Sequence, residues 1–210
     1  MLHRVLLALT GLLVFATTAA QAQAKPAGKA KPVVTTVYIV RHAEKDSTSD
    51  RADPTLSALG QVRAEALNQQ LAKRHPAALF TTDTKRTRAT LAPLAAATKL
   101  EPQTYDPRRG RDLADLVLKD YAGKSVVIVG HSNTVLSLID DFGVVPPVEE
   151  IGENEYEYLF TIRLAEGMLP TVDVRGYGPE RRPLSAKAQA KNAKAMATPM
   201  MTTPAAPAKQ

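Results

Sequence analysis

The chain has 210 residues, with 27 lysines and arginines against 21 aspartates and glutamates, a net charge of +6, and no cysteine. The lack of cysteine excludes disulfide bonds, zinc–thiolate sites and cysteine nucleophiles. Eight of the basic residues lie outside 33–182, which leaves 19 basic and 21 acidic residues in that range, net −2. Since the excess positive charge lies outside the part that is predicted to fold, the composition argues against a nucleic-acid-binding domain.

Both ends of the chain are predicted to lie outside the folded domain. Residues 1–24 have a short basic start, an uncharged apolar run and small-x-small cleavage sites, which is the pattern of a secretory signal peptide. The alternative, a membrane anchor, is disfavoured because the apolar run falls short of the about 20 residues that span a bilayer. We expect a linker at 25–32 and a disordered Ala/Lys/Pro tail at 183–210. The sequence thus predicts a periplasmic or secreted protein, without stable membrane insertion, whose one domain occupies 33–182.

Strand and helix patterns alternate along this domain. Apolar runs predict strands at 33–40, 77–81, 103–105, 125–129, 156–164 and 169–174. Helical spacing predicts helices at 57–74, 85–98, 112–121 and 133–141, with Ser57 and Ser132 as capping residues of the first and the last. The alternation predicts an α/β fold in three layers, a mainly parallel sheet with helices on both faces, in which the last two strands form an antiparallel edge.

Two of the predicted strands end in a histidine. Arg41 and His42 follow the first strand, and His131 follows the fourth. Open α/β sheets bind ligands at the carboxyl edge of their strands, a guanidinium suits phosphate, and an imidazole is a nucleophile at neutral pH. Arg86, at a predicted helix start, adds a cation, and the helix start at Asn133 adds backbone N–H groups that favour an anion. The pattern predicts a phosphoryl-transfer site.

Four segments of the domain form a series of motifs. In order they are Arg41-His42-Ala43-Glu44, Leu56-Ser57-Ala58-Leu59-Gly60-Gln61-Val62-Arg63-Ala64, Thr82-Asp83-Thr84-Lys85-Arg86-Thr87-Arg88-Ala89-Thr90 and Gly130-His131-Ser132. This series resembles the histidine phosphatase superfamily, also called phosphoglycerate mutase-like, over about 33–142. The chain departs from the family pattern mildly, with Ala43 in place of glycine, and with Thr82 and Thr87 in place of serine and alanine.

The resemblance implies a mechanism and assigns roles to the motif residues. His42 is expected to be the nucleophile that becomes phosphohistidine, and Arg41, Arg86 and His131 are expected to hold the phosphoryl group, with Asn133 among the substrate-binding residues. The resemblance further implies a phosphoglycerate mutase-like fold and a histidine acid phosphatase-type hydrolase of phosphoric monoesters. Such an enzyme acts on a small phosphorylated substrate and uses no metal and no other cofactor.

The proton donor is left open by the sequence. In many relatives an acidic residue follows the second arginine motif, and that stretch is not intact here. Asp106, after the short third strand, is the first candidate for the donor, and Asp112 and Glu155 are the reserves. A surface or helix-capping role is the alternative for each of these carboxylates.

Two further functions remain open at this stage. One is a phosphomutase, which the short core disfavours because it leaves little room for insertions that enclose a substrate. The other is a non-catalytic protein that binds phosphate or a phosphoester on the same fold. The sequence indicates neither the natural substrate nor a role for the tail, and it shows no coiled-coil pattern that would indicate an oligomeric state.

Overall fold

A computed structural model describes residues 32–179 of the chain. The predicted signal peptide, the predicted linker except Pro32, and the predicted tail lie outside these described residues. The strands are β1 (Val34–Arg41), β2 (Ala78–Thr81), β3 (Gln103–Thr104), β4 (Ser125–Gly130), β5 (Tyr158–Ala165) and β6 (Thr171–Gly176). The helices are α1 (Ala58–Leu71), α2 (Lys85–Thr98), α3 (Gly110–Asp120) and α4 (Val135–Asp141), with a turn of 3₁₀ helix after α1 at Ala72–Arg74.

The six strands form one mixed sheet in the order β3-β2-β4-β1-β5-β6. β3, β2, β4 and β1 run parallel, whereas β5 pairs antiparallel with β1 and β6 pairs antiparallel with β5. The predicted parallel sheet with an antiparallel edge is therefore confirmed. The central pair β1 and β4 places Arg41 opposite Gly130, so the two histidines that follow these residues emerge side by side.

Alternating side chains of the central strands build a core on each face of the sheet. Val37 and Ile39 pack on the face covered by α3 and α4, whereas Val40, on the same strand, packs on the face covered by α1 and α2. Strands β2 and β4 alternate in the same way, and the side chains concerned are fully or almost fully buried. Successive side chains of a strand point to opposite faces, so an uninterrupted apolar run is what a sheet covered on both sides requires. The three-layer prediction is confirmed.

The predicted cap of α1 is confirmed, whereas the predicted cap of α4 is not. The Ser57 hydroxyl accepts the backbone N–H of Gly60 at 3.1 Å and caps α1. Ser132 does not cap α4, which begins at Val135 with no side-chain cap. The His131 carbonyl instead accepts the N–H groups of Thr134 and Val135, at 3.0 Å each, so a tight turn separates β4 from the helix. Within residues 32–179, no helix has the length and apolar character to span a membrane.

Candidate active site

The motif residues meet in a cavity of about 460 Å³ at the carboxyl edge of the parallel strands. Arg41, His42, Arg86 and His131 form its floor, and we use that term for these four side chains. Arg41 is the last residue of β1 and His42 follows it, His131 follows β4, and Arg86 lies in the first turn of α2. Asn133 also lines the cavity, at its exposed side. The structure thus brings together five of the six site residues named from the sequence.

His42 is buried, with 5% of its surface exposed, and one of its ring nitrogens is occupied. Its Nδ1 lies 2.8 Å from the carbonyl oxygen of Ala43. A carbonyl only accepts, so Nδ1 carries the proton and Nε2 keeps its lone pair. Burial, together with the positive charges of Arg41 and Arg86, lowers the pKa of His42 from 6.5 to about 3. The ring is therefore a neutral imidazole with Nε2 available as a nucleophile at physiological pH.

Arg41 is held in place by the segment that precedes β5. Its Nη1 donates to the carbonyl oxygens of Gly152, at 2.7 Å, and Glu155, at 3.1 Å. The guanidinium carbon lies 4.0 Å from the centroid of the Tyr156 ring, a cation–π contact. Burial lowers the pKa of Arg41, but an arginine stays charged in proteins. These contacts fix the guanidinium and leave Nη2, which has no hydrogen-bond partner among residues 32–179, to donate to an oxygen in the cavity.

His131 is oriented through both of its ring nitrogens. Its Nδ1 lies 3.3 Å from Nη2 of Arg86, and its Nε2 lies 2.8 Å from the Thr82 hydroxyl. A guanidinium only donates, so Nδ1 accepts and the neutral ring carries its proton at Nε2. Burial, followed by the charges of Arg86 and Arg41, lowers the pKa of His131 to about 4. Its ring centroid lies 5.4 Å from that of His42, which places both rings within reach of one phosphoryl group.

The start of α2 is tied to the segment that carries the nucleophile. The Thr90 hydroxyl donates to the carbonyl of Arg86 at 2.7 Å and accepts the backbone N–H of Ala43 at 2.9 Å. Asp53 accepts the backbone N–H of Lys85 at 3.0 and 3.2 Å and lies 3.7 Å from Nη1 of Arg86. A carboxylate at a helix N-terminus satisfies an otherwise unpaired donor there. These contacts position Arg86 within the floor, whereas Arg88 lies outside the cavity lining.

Glu44, two residues after the nucleophile, binds α1 through an ion pair with Arg63. Both of its carboxylate oxygens accept from Arg63 of α1, which is 2% exposed, at 2.7 to 3.0 Å. The remaining nitrogen of that guanidinium donates to the carbonyl of Tyr177 at 2.7 Å. Gly60 lets α1 approach this closely, because a Cβ there would collide with the Glu44 carbonyl. The glycine and glutamate of the first two motifs are thus packing partners, which explains their joint appearance in the sequence.

The three carboxylates named as candidate proton donors do not line the cavity. Asp106 lines a neighbouring cavity instead, and its carboxylate accepts two bonds from the Arg108 side chain and one from the Arg108 backbone. The Arg108 side chain lowers the pKa of Asp106 to about 2, so this group is ionised at neutral pH and is a poor acid. Asp112 pairs with Arg109. Glu155 accepts from the Gly152 N–H and the Tyr158 hydroxyl and shapes the segment that holds Arg41. The structure therefore argues against Asp106 as the donor.

Four charged residues that the sequence reasoning did not place at the site line the outer part of the cavity. We call them the rim, and they are Lys45, Arg51, Arg108 and Glu153. Glu153 is the only carboxylate among the cavity residues in the described part of the chain. All four lie in loops, where no strand-end motif marks them, although Lys45 directly follows the first motif. Their shared position shows only in three dimensions.

Comparison with known proteins agrees with the motifs and the fold. Residues 37–108 match the family model of the histidine phosphatase superfamily (branch 1). A mycobacterial glucosyl-3-phosphoglycerate phosphatase has 17% identity and a TM-score of 0.56, over 67% of this chain and 98% of that one. The protein histidine phosphatase SixA, solved with tungstate, has 17% identity and a TM-score of 0.52, over 66% of this chain and 94% of that one. A structure described as mycobacterial hydrolase 2 has 16% identity and a TM-score of 0.52, over 77% of this chain and 98% of that one.

No curated protein sequence gives a significant match. The structural neighbours share the fold, and the family match spans β1 to the loop after β3, with Arg41, His42 and Arg86 inside it. The resemblance recognised from the four motifs is confirmed over residues 37–108, which match the histidine phosphatase superfamily (branch 1) model.

Proposed function

We propose that the protein is a metal-independent phosphomonoesterase that works through a phosphohistidine at His42. One observation carries the proposal: His42 is a buried neutral imidazole whose Nδ1 proton is committed to Ala43, so that Nε2 is left to attack. Arg41 and Arg86 supply fixed positive charge around it, which favours a phosphoryl group and disfavours a metal cation. The floor therefore combines a nucleophile with a binding site for the group that it attacks.

In the first step, Nε2 of His42 forms a bond to phosphorus while the ester P–O bond breaks. Arg41 and Arg86 donate to the phosphoryl oxygens and stabilise the charge of the transition state. Binding of the phosphoryl dianion raises the pKa of His131, because a nearby negative charge favours the protonated form, and the imidazolium stabilises the negative charge of the transition state. The leaving oxygen takes its proton from the carboxyl group of Glu153, and the alcohol departs.

In the second step, water attacks the phosphorus of the phosphohistidine. Glu153, now a carboxylate, accepts the proton of that water, as expected when the group that acted as acid acts as base on the return. The P–N bond breaks, inorganic phosphate leaves, and His42 returns to the neutral imidazole. The position of Glu153 on the cavity lining, beside Arg41, supports this role. The proposal includes export, with the mature protein acting in the periplasm or outside the cell on a small phosphoester.

The test is hydrolysis of p-nitrophenyl phosphate in excess EDTA by the wild type and by the His42→Asn variant. We expect the variant to lose activity by about 10³-fold or more, because the nucleophile is removed. The matched control is His75→Asn, since His75 is exposed and lies outside the cavity. Quenching the wild type in alkaline detergent during turnover should trap a phosphoenzyme that is stable in alkali and lost in acid, and that the His42→Asn variant lacks. Undiminished turnover by that variant, or turnover that EDTA abolishes, would overturn the proposal.

A further inference from the structure

We propose that the rim contains a second anion-binding site, formed by Lys45 and Arg51, and that the substrate is a small phosphomonoester with a second anionic group. The inference rests on the proposed function in one respect, that the floor holds the phosphoryl group to be removed. It adds the class of substrate, a molecule with two anionic groups that bind to the floor and the rim at the same time.

The floor and the two rim cations lie at different depths of one cavity. Arg41 and His42 are each 5% exposed, whereas Lys45 and Arg51 are exposed side chains of the same lining. A phosphoryl group seated on the floor leaves the rest of its substrate to extend towards solvent. The parts of the substrate beyond the ester bond then occupy the outer part of the cavity, where these two cations are among the lining residues.

The loop that carries the two cations is held by internal contacts, and its carboxylates bind groups other than Lys45 and Arg51. Lys45 and Leu56 form an antiparallel bridge that closes the loop. Asp46 accepts from Thr48, and Asp53 accepts the backbone N–H of Lys85 at the start of α2. The third carboxylate of the loop, Asp50, lies 3.8 Å from the Lys85 ammonium group. None of the three pairs with Lys45 or Arg51 in the described structure.

Two other carboxylates near the two cations are committed as well, whereas Glu153 of the same lining is the proposed proton donor. Glu44, the neighbour of Lys45 in the sequence, is held by Arg63. The third rim cation, Arg108, is neutralised by Asp106 and is not part of the proposed site. Two lysine or arginine side chains without an ion-pair partner in residues 32–179 therefore remain at the cavity mouth, which is an arrangement that a second anionic group would complete.

The cavity size indicates which class of bis-anionic molecule it takes. Small-molecule sites have volumes of roughly 300 to 1,000 Å³, and the volume here is about 460 Å³. The floor and the rim share this one space, so a single small molecule is able to reach both. A compact phosphorylated metabolite with a second phosphate or a carboxylate fits this description.

The test compares glucose 6-phosphate with glucose 1,6-bisphosphate, through kcat/KM for phosphate release by the wild type and by the Lys45→Met/Arg51→Met double variant. We expect the wild type to prefer the bisphosphate, and we expect the variant to lose about tenfold more kcat/KM on the bisphosphate than on the monophosphate, through KM, since a hydrogen bond to a charged group is lost at each position. The control Arg88→Met removes an exposed arginine outside the cavity and should leave the ratio unchanged. Equal losses on both substrates would overturn the proposal, because the two cations would then attract any anion without a site of their own.

A binding measurement separates this proposal from the proposed function. Calorimetry of the wild type with inorganic phosphate and with pyrophosphate should show tighter binding of pyrophosphate, and the double variant should lose this preference. If p-nitrophenyl phosphate is not hydrolysed but the preference depends on the two cations, the phosphatase proposal fails and the second site stands. If the enzyme is active but pyrophosphate binds no better than phosphate in either protein, the second site is wrong and the phosphatase proposal stands.

Discussion

The floor and the rim of the cavity are built by different means. The floor side chains come from the ends of two central strands and the first turn of a helix, and Arg41, His42 and His131 are each held by hydrogen bonds. The rim side chains come from loops and are exposed to solvent. Rigid elements position reacting groups accurately, whereas loops vary without disturbing the sheet. The comparison indicates that the chemistry resides in the sheet edge and the choice of substrate in the loops.

The largest expected effect comes from removing an arginine of the floor. Arg41→Ala should lower kcat/KM for p-nitrophenyl phosphate by about 10² to 10³-fold, since a fixed donor to the transition state is lost. It should also lower the free energy of unfolding by about 1 to 3 kcal/mol, because the carbonyls of Gly152 and Glu155 lose their buried donor. Steady-state kinetics and urea unfolding measure the two effects. The control Arg88→Ala, at an exposed arginine, should change kcat/KM by no more than about twofold and the free energy of unfolding by no more than about 0.5 kcal/mol. If Arg41→Ala and Arg88→Ala lost equal kcat/KM, the floor arginine would have no special role in catalysis.

An intermediate effect is expected at the rim carboxylate. Glu153→Gln removes the proposed proton donor, so kcat/KM for glycerol phosphate, which reports the first step, should fall by roughly 10²-fold, because an alkoxide leaves poorly without a proton. The kcat/KM for p-nitrophenyl phosphate should fall much less, since p-nitrophenolate leaves without protonation. Parallel kinetics with the two substrates measure the difference, and Glu150→Gln, at an exposed carboxylate outside the lining, is the control. A loss of the same size on both substrates would show that Glu153 positions other groups and donates no proton.

The smallest effect concerns how the free energy of unfolding of the protein depends on pH. His42 has a pKa of about 3 in the folded protein against 6.5 in the unfolded chain, so the unfolded chain binds more protons between these values. The free energy of unfolding should therefore fall as the pH is lowered from 6.5 towards 3, by up to about 1.4 kcal/mol per pH unit from this group. Burial of His131 acts in the same direction, with a smaller contribution because it is partly exposed. Urea unfolding at pH 6.5 in MES and at pH 4.5 in acetate, at equal ionic strength, measures the slope, which should be shallower in His42→Asn. An unchanged slope in that variant would contradict the neutral buried imidazole.

The sequence predicted the parts of the molecule that depend on local patterns. The apolar runs of the central strands gave the three layers, and α2 begins and ends where its helical pattern does, at Lys85 and Thr98. Arg41 and His42 were placed correctly because a strand end fixes both their position and their direction. The start of α4 was misplaced because the turn at His131 uses backbone contacts, which leave no mark in residue type.

The rim was missed for a different physical reason. Glu153 lies in a loop whose position is fixed by the bonds from Arg41 to Gly152 and Glu155, which join parts of the chain 111 and 114 residues apart. Loop conformation depends on such distant contacts and not on local spacing, so no sequence motif identifies Glu153 as a site residue. Asp106 was chosen for its place after a strand, but its carboxylate binds Arg108 and lines a neighbouring cavity.

The same long-range contact sets the order in which the site is assembled during synthesis. Arg41 and His42 leave the ribosome more than a hundred residues before Gly152 and Glu155, the residues that hold the arginine. A nascent chain that ends before Gly152 contains all four motifs, yet its Arg41 has neither of the two carbonyls to bind. The nucleophile is thus synthesised early and gains its complete environment only when the antiparallel edge joins the sheet, so phosphate binding reports completion of the last strands.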